Sequence, residues 1–328
     1  MASQNIIKRS LAVIPYVAGG FATLDLPRAY DYGTIGIKIS GTINITTVAT
    51  AVRAEAPCQL VQRVEIVADG KNTLYSAPYW FGAVGNVKRN SVAQSAFGLV
   101  APSSTAVASY GINAISWVDF ASIGAIRPKD SNYRSSGLSL FQLRLTFGQP
   151  GDVLVGGAAT ATNIVVEIFS VETIEIPDAK GAVSTPVCMK KVSYQEVALL
   201  ATNANQEVRL PAGNQIAQVL LRTEGAVTAG EPTWTILNNA ILSSGVDVRI
   251  NMKGEQIRYL NSGDYGRVPT GVYVLDFLST GTSPEYLTNV WDVSGQAEPK
   301  VVLDVAGAAS NKVQAVITEY IFPNGASA

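Results

Sequence analysis

The sequence predicts an all-β chain built as two tandem eight-stranded jelly rolls, with a short helix in the first. Three observations predict it. Apolar residues make up 47% of the 328 and charged residues only 15%, yet the apolar residues come in short runs broken by Gly, Asn, Ser, Thr and Pro. That is the pattern of many strands joined by turns. Each half offers about eight such runs without helices alternating between them, which points to antiparallel sandwiches with Greek-key connections. The second half also echoes the first in order. Val64–Lys71 is echoed by Val246–Gly254, Trp117–Phe120 by Val274–Phe277, Leu143–Phe147 by Val301–Val305, and Asn163–Phe169 by Asn311–Ile317. The four echoes are collinear, and their offset shrinks from 182 (246 − 64) to 148 (311 − 163), so the second copy has shorter connections.

The elements follow from local pattern. Gly33 to Val48 alternates at Ile35, Ile37 and Ile39 and again at Ile43 and Ile45, the period of a strand. Leu60 to Ala68 places Val64 and Ile66 on one face and Arg63 and Glu65 on the other. Asp69-Gly70 marks a hairpin, because Gly accepts positive φ, and Thr73 to Ser76 is the returning strand. Between Pro78 and Phe97, the residues Trp80, Phe81, Val84 and Val87 recur at helical spacing, with Lys88 and Arg89 beyond, and predict a helix. Ala101–Ala108 and Arg127–Asn132 read as loops; Ile112–Phe120, Leu138–Phe147 and Asn163–Ile176 read as strands. Pro177 to Lys191 reads as a linker whose three lysines form a solvated surface. Strands are then expected at Ser193–Leu200, Asn205–Leu210, Gln215–Thr223, Thr233–Leu237, Ile241–Ile250, Gln256–Leu260, Gly271–Ser279, Pro299–Val305 and Lys312–Phe322. The expected division is an N-terminal arm over residues 1–20, a first roll over 21–177, a linker over 178–191 and a second roll over 192–328.

Composition excludes several function classes. A net charge of −1 and no basic stripe with interleaved aromatics argue against direct sequence-specific nucleic-acid binding. No window holds the ~20 uninterrupted apolar residues of a membrane helix. The chain has no histidine, which removes the commonest general base, metal ligand and partner of a nucleophile. Cys58 and Cys188 are too few for a disulfide framework and read as buried free thiols of a protein made in a reducing cytoplasm. Near the N-terminus, Lys8-Arg9 precede an apolar run that Pro15 interrupts. This favours an arm packed on a neighbouring subunit or touching lipid over a cleaved signal peptide.

The individual motifs carry little chemistry. Gly70-Lys71-Asn72-Thr73 lacks the upstream glycine and following helix of a phosphate loop and reads as a hairpin turn. Asn44-Ile45-Thr46 fits a glycosylation acceptor but lies inside a predicted strand. Carboxylates at Glu172 with Glu175 and at Asp292 with Glu298 are candidates for a two-acid hydrolase. Odd spacing on a strand puts the first two on opposite faces. Lys190 and Lys191 lie near Cys188, but without a histidine base a thiol catalyst is not expected. No cluster has metal-ligand spacing, and Tyr79, Trp80, Phe81, Trp117, Trp234 and Trp291 read as core or subunit-interface packing. No catalytic, cofactor or metal residue is assigned.

Two sandwich-like halves joined at 178–191, free of histidine and nearly neutral, resemble the double jelly-roll major capsid proteins of adenoviruses and tailless, membrane-containing icosahedral bacteriophages. Leu60 to Phe81 is the most family-like stretch, and the compact size resembles that of the small phage members, lipid-containing Flavobacterium phages among them. The resemblance implies a structural protein of the virion, not an enzyme, made in the host cytoplasm. It implies a homotrimer of pseudo-sixfold outline tiling an icosahedral shell. Its implied partners are neighbouring capsomers, minor capsid or vertex proteins, and an internal membrane reached by the N-terminal arm. Other classes share such folds: a carbohydrate-active enzyme or lectin on tandem jelly rolls, or a minor capsid or spike protein.

Overall fold

The computed structural model describes residues 3–89, 99–122, 128–176, 186–225, 231–277, 289–296, 298–308 and 311–322. The chain divides into two compact units whose boundary falls between Lys190 and Lys191. Residues 177–185 of the expected linker and 90–97 of the expected helix lie outside the described residues.

The first unit has eight main strands: β1 Ser3–Pro15, β2 Phe21–Asp25, β3 Asp31–Thr47, β4 Val61–Ala68, β5 Asn72–Ala77, β6 Ser109–Asp119, β7 Phe141–Phe147 and β8 Ala158–Ile176. They form two antiparallel sheets, ordered β1-β8-β3-β6 and β2-β7-β4-β5. Period-2 alternation decides what each strand buries. Ile35, Ile37 and Ile39 on β3, Val64 and Ile66 on β4, Leu143 and Leu145 on β7, and Val166 and Ile168 on β8 are all buried. The alternation on β3 runs on in the same phase to Ile43 and Ile45, with Gly41 in the intervening inward position beside the extra residue that β8 carries between Thr162 and Val165. In the β4–β5 turn, Asp69 and Gly70 both take left-handed conformations, φ 49° and 72°. That is the backbone an Asp-Gly hairpin selects. The Asp69 carboxylate then accepts hydrogen bonds from Ser139 N, Ser139 Oγ and Leu140 N at 2.7, 2.8 and 3.3 Å.

The second unit also has eight main strands: β9 Met189–Ala198, β10 Asn203–Arg209, β11 Gln215–Gly225, β12 Leu237–Ser244, β13 Asp247–Lys253, β14 Val272–Asp276, β15 Lys300–Val305 and β16 Lys312–Ile321. Its sheets run β9-β16-β11-β14 and β10-β15-β12-β13. Counting strands one to eight within each unit, both read 1-8-3-6 and 2-7-4-5. This is the two-sheet strand order of a jelly roll, twice. The core of the second unit gathers Ile216, Val219 and Leu221 of β11, Val301, Leu303 and Val305 of β15, and Val313, Ala315 and Ile317 of β16.

Five expectations change. The strand expected at Thr233–Leu237 is absent over 233–236, where the chain bends, and the strand begins only at Leu237. Residues 3–15 are not an arm: β1 pairs with β8 from Ser3↔Ile176 to Pro15↔Val165. The Ile-rich pattern made this stretch sticky, and the edge of β8 satisfies its backbone. The helix expected after Pro78 is, within the described residues, a buried π-helical turn over Phe81–Gly85 with helical residues again at 87–89. Gly82 explains its tightness, since a Cβ there would lie 2.3 Å from Ser116 Oγ and 2.6 Å from the Trp117 carbonyl oxygen. Ile241–Ile250 is two strands, broken by a turn at Gly245, φ 56°. Finally, the strand expected at Gln256–Leu260 is helical, within α1, Gly254–Tyr265. The helix period was hidden because the buried positions Ile257, Asn261 and Tyr265, each four apart, include a polar residue.

Candidate assembly surfaces

β1 ends its sheet, so among the described strands one of its backbone edges has no strand partner. Its outward side chains include Ile6 and Val13, and the chain continues past it to Val17 and Phe21; all four are exposed, Phe21 by 78%. In the second unit, Leu200 is 75% exposed, and Val246 stands fully exposed at the β12–β13 hairpin tip. Large apolar side chains held out on strand edges and hairpin tips are the residues that association covers.

One ion pair fixes the β1 surface. The Arg9 guanidinium donates from Nε to Glu172 Oε1 at 3.0 Å and from Nη2 to Glu172 Oε2 at 2.8 Å. The Glu172 side chain is fully buried, and Ser170 Oγ donates to it at 2.5 Å. Arg9 also lies over the Tyr30 ring at 5.4 Å. A bidentate charge-assisted pair of this kind sets strand register as well as adding stability. The hydrogen bond from Arg9 to Glu172 holds the guanidinium pKa above its usual value.

The second unit holds a comparable network. Glu196 on β9 accepts from Tyr194 Oη at 2.8 Å, Gln314 Nε2 at 3.1 Å and Lys312 Nζ at 3.1 Å, and Lys312 also reaches Glu224 at 3.1 Å. Arg222 and Glu224, both buried on β11, pair at 3.3 Å. These groups order one sheet face.

Glu172 is paired with Arg9, while Glu175 is three pairs further along the β1–β8 ladder, opposite Gln4. Asp292 is exposed and accepts from Ser294 N at 2.9 Å; that side-chain and backbone bonding to Ser294 lowers its pKa. Glu298 is exposed on a left-handed residue, φ 52°. Asn44 bonds across the sheet to Thr162 Oγ1 at 2.8 Å and accepts from Ser109 Oγ at 2.6 Å, as a ladder residue does. Gly70-Lys71-Asn72-Thr73 is the hairpin turn. Cys58 and Cys188 are buried and form no disulfide, and burial pushes the Cys188 thiol up to about 12. Among the described residues, no three His, Cys, Asp or Glu side chains gather as metal ligands. No described helix is long and apolar enough to cross a membrane. Sequence reasoning passed over Phe21, Leu200 and Val246, because only the fold shows which apolar residues remain outside.

Neither a protein-family model nor a curated protein sequence matches the chain. Solved structures do. The chain is similar to the MCP of STIV, with a TM-score of 0.73 and 18% identity over 97% of both chains. It is similar to a chain in the atomic structure of Sulfolobus Turreted Icosahedral Virus, with a TM-score of 0.69 and 18% identity over 97% of this chain and 91% of that one. It is also similar to the major capsid protein P2 of bacteriophage PM2, with a TM-score of 0.60 and 12% identity over 99% and 100% of the two chains. The fold of this chain is the double jelly roll that these viral capsid proteins share.

Proposed function

We propose that the chain is the major capsid protein of an icosahedral virus, acting structurally and not as a catalyst. Three copies form a trimer of pseudo-sixfold outline, and trimers tile the shell of the virion. The observation that carries this reading is the repeated strand order, 1-8-3-6 with 2-7-4-5 in each unit, over a chain that matches the STIV MCP along 97% of both lengths. Three chains with two like units each present six comparable sides, while the differences between units allow distinct contacts. Low charge and exposed apolar edges suit permanent interfaces, which are more hydrophobic than transient ones. Neighbouring trimers and minor or vertex proteins are the partners of the apolar surface at Phe21, Leu200 and Val246.

Light scattering on the purified chain tests the trimer: a particle of three times the 34.6 kDa chain mass is expected. Electron microscopy of assembled material then tests the tiling. A stable monomer at micromolar concentration that never forms trimers overturns the reading.

Lipid contact belongs to the exposed face of β1, where Ile6 and Val13 flank Lys8. The apolar residues would enter the headgroup boundary and the lysine would pair with anionic lipid. Because β1 is a sheet strand, deleting it would strip β8, so point changes are the proper test. Ile6→Ser with Val13→Ser should keep the fold and abolish co-sedimentation with anionic vesicles. Unchanged co-sedimentation overturns the lipid role alone.

A further inference from the structure

The second unit contains a polar pocket of about 720 Å³. Its size falls within the range of small-molecule sites, about 300–1,000 Å³. Trp234 forms one wall. The Trp234 and Tyr273 rings meet edge to face at 5.0 Å, and Tyr273 Oη donates to the Trp234 carbonyl at 3.0 Å. The Arg258 guanidinium carbon stands 5.1 Å from the centre of the Trp234 ring. The indole is therefore held in place, yet it is only half-buried and borders open space.

Polar groups of both signs surround it. Lys253 and Arg258 bring two positive charges, Glu255 and Asp304 two negative ones, and Asn238 an amide. Asn238 Nδ2 donates to Asp304 Oδ1 at 3.3 Å, which orients both groups and leaves each with unused hydrogen-bonding capacity. Lys253 and Glu255 make no ion pair among the described residues, although both line the same pocket. The backbone fixes this arrangement. A Cβ on Gly254 would lie 2.4 Å from the Leu237 carbonyl oxygen, so only glycine lets the start of α1 press against β12.

These features select a ligand class. The charges cancel, so a phosphate would meet two carboxylates, and a quaternary ammonium would meet Arg258 already on the indole. What remains is an uncharged molecule with one C–H face for the indole and several hydroxyls for paired donors and acceptors. We propose that this pocket binds a neutral saccharide, stacked on Trp234 and hydrogen-bonded by Asn238, Asp304, Lys253 and Glu255. The site goes beyond the shell-building role and stands independently of it.

The test is saturation-transfer NMR with tryptophan fluorescence titration on the purified full-length protein. The probes are the methyl glycosides of glucose, galactose, mannose and N-acetylglucosamine, with inorganic phosphate and choline as charged controls. Saturable millimolar binding of at least one glycoside is expected, with none for the controls. Trp234→Ala should abolish it. Because Trp234 also packs on the core, Asn238→Ala and Asp304→Asn, both at the pocket rim, serve as variants that keep the fold; each should weaken binding about ten-fold, the loss of one hydrogen bond at about 1.4 kcal/mol. The proposal is overturned if no glycoside binds, if phosphate or choline binds in their place, or if the rim variants bind like the parent.

Discussion

Asn261 acts as a substitute strand for Val274. From the buried side of α1, its Nδ2 donates to the Val274 carbonyl at 2.9 Å and its Oδ1 accepts from the Val274 N–H at 2.7 Å. β14 ends its sheet, so without Asn261 those two backbone groups would be buried and unpaired. The amide supplies one donor and one acceptor at the spacing of a neighbouring strand, and this explains a polar residue in the buried row of the helix.

Asn261→Leu should therefore destabilise the protein by about 2–3 kcal/mol, the desolvation cost of two orphaned backbone groups. Asn261→Asp should also destabilise, since it keeps the acceptor and sets a carboxylate against the Val274 carbonyl. Urea unfolding of both variants checks this; parent-like stability in either removes the strand-substitute role.

Arg9→Ala should cost about 3 kcal/mol, because it leaves the buried Glu172 carboxylate uncompensated. Arg9→Ala with Glu172→Leu should recover much of that loss. Hydrogen exchange should locate the damage on residues 3–15, which become exchangeable in the single variant and protected again in the double one.

Gly36 sits opposite Phe169 on β8 and Trp117 on β6, and a Cβ there would lie 2.2 Å from the Phe169 ring. The Trp117 and Phe169 rings meet edge to face at 5.3 Å. Gly36→Ala should therefore lower stability by about 1–3 kcal/mol through overpacking. Combining it with Phe169→Leu should cost less than the sum of the two single changes in a thermal-unfolding double-mutant cycle.

The Glu196 network makes stability depend on pH in a stated direction. Partial burial raises the Glu196 pKa, but the hydrogen bonds from Gln314, Tyr194 and Lys312 outweigh it, so the folded pKa lies below the usual carboxylate value. A depressed carboxylate stabilises the fold above its unfolded pKa, and that contribution is lost as pH falls through the folded pKa. Lys312 has the opposite sign. Burial lowers its pKa, but the charges of Glu224 and Glu196 outweigh burial and raise it, so its contribution is lost as alkaline pH rises through the folded pKa. Glu196→Gln should flatten the acid side of a plot of thermal midpoint against pH. An unchanged slope below pH ~4.3, the free glutamate value, would count against the network.

Burial of both thiols and the raised Cys188 pKa predict inertness. Iodoacetamide at pH 8 should leave the native chain unmodified and alkylate both cysteines after denaturation, read by mass spectrometry. Rapid native labelling of Cys188 would show that its cover opens.

What the sequence determined by itself was the class of fold and its duplication, because alternation and turn chemistry are local. Ile35, Ile37 and Ile39 can bury only one face of a strand, and Asp69-Gly70 can make only a tight left-handed turn. Three of the four echoes join topologically equivalent strands: Trp117 with Val274 on the sixth of each unit, Leu143 with Val301 on the seventh, and Asn163 with Asn311 on the eighth or its start. The first is one strand out, since Val64 lies on the fourth strand of its unit and Val246 in the turn before the fifth of the other. Apolar alternation has no memory of which strand it belongs to; hydrogen-bonded order does. The tertiary structure alone decided that residues 3–15 complete a sheet, because a free edge on β8 was there to receive them. It also made 254–265 a helix, since Asn261 earns its buried place only once the edge of β14 lies beside it. The pocket around Trp234 likewise exists only when β12, β14, β15 and the start of α1 meet, bringing together charges that are scattered along the chain.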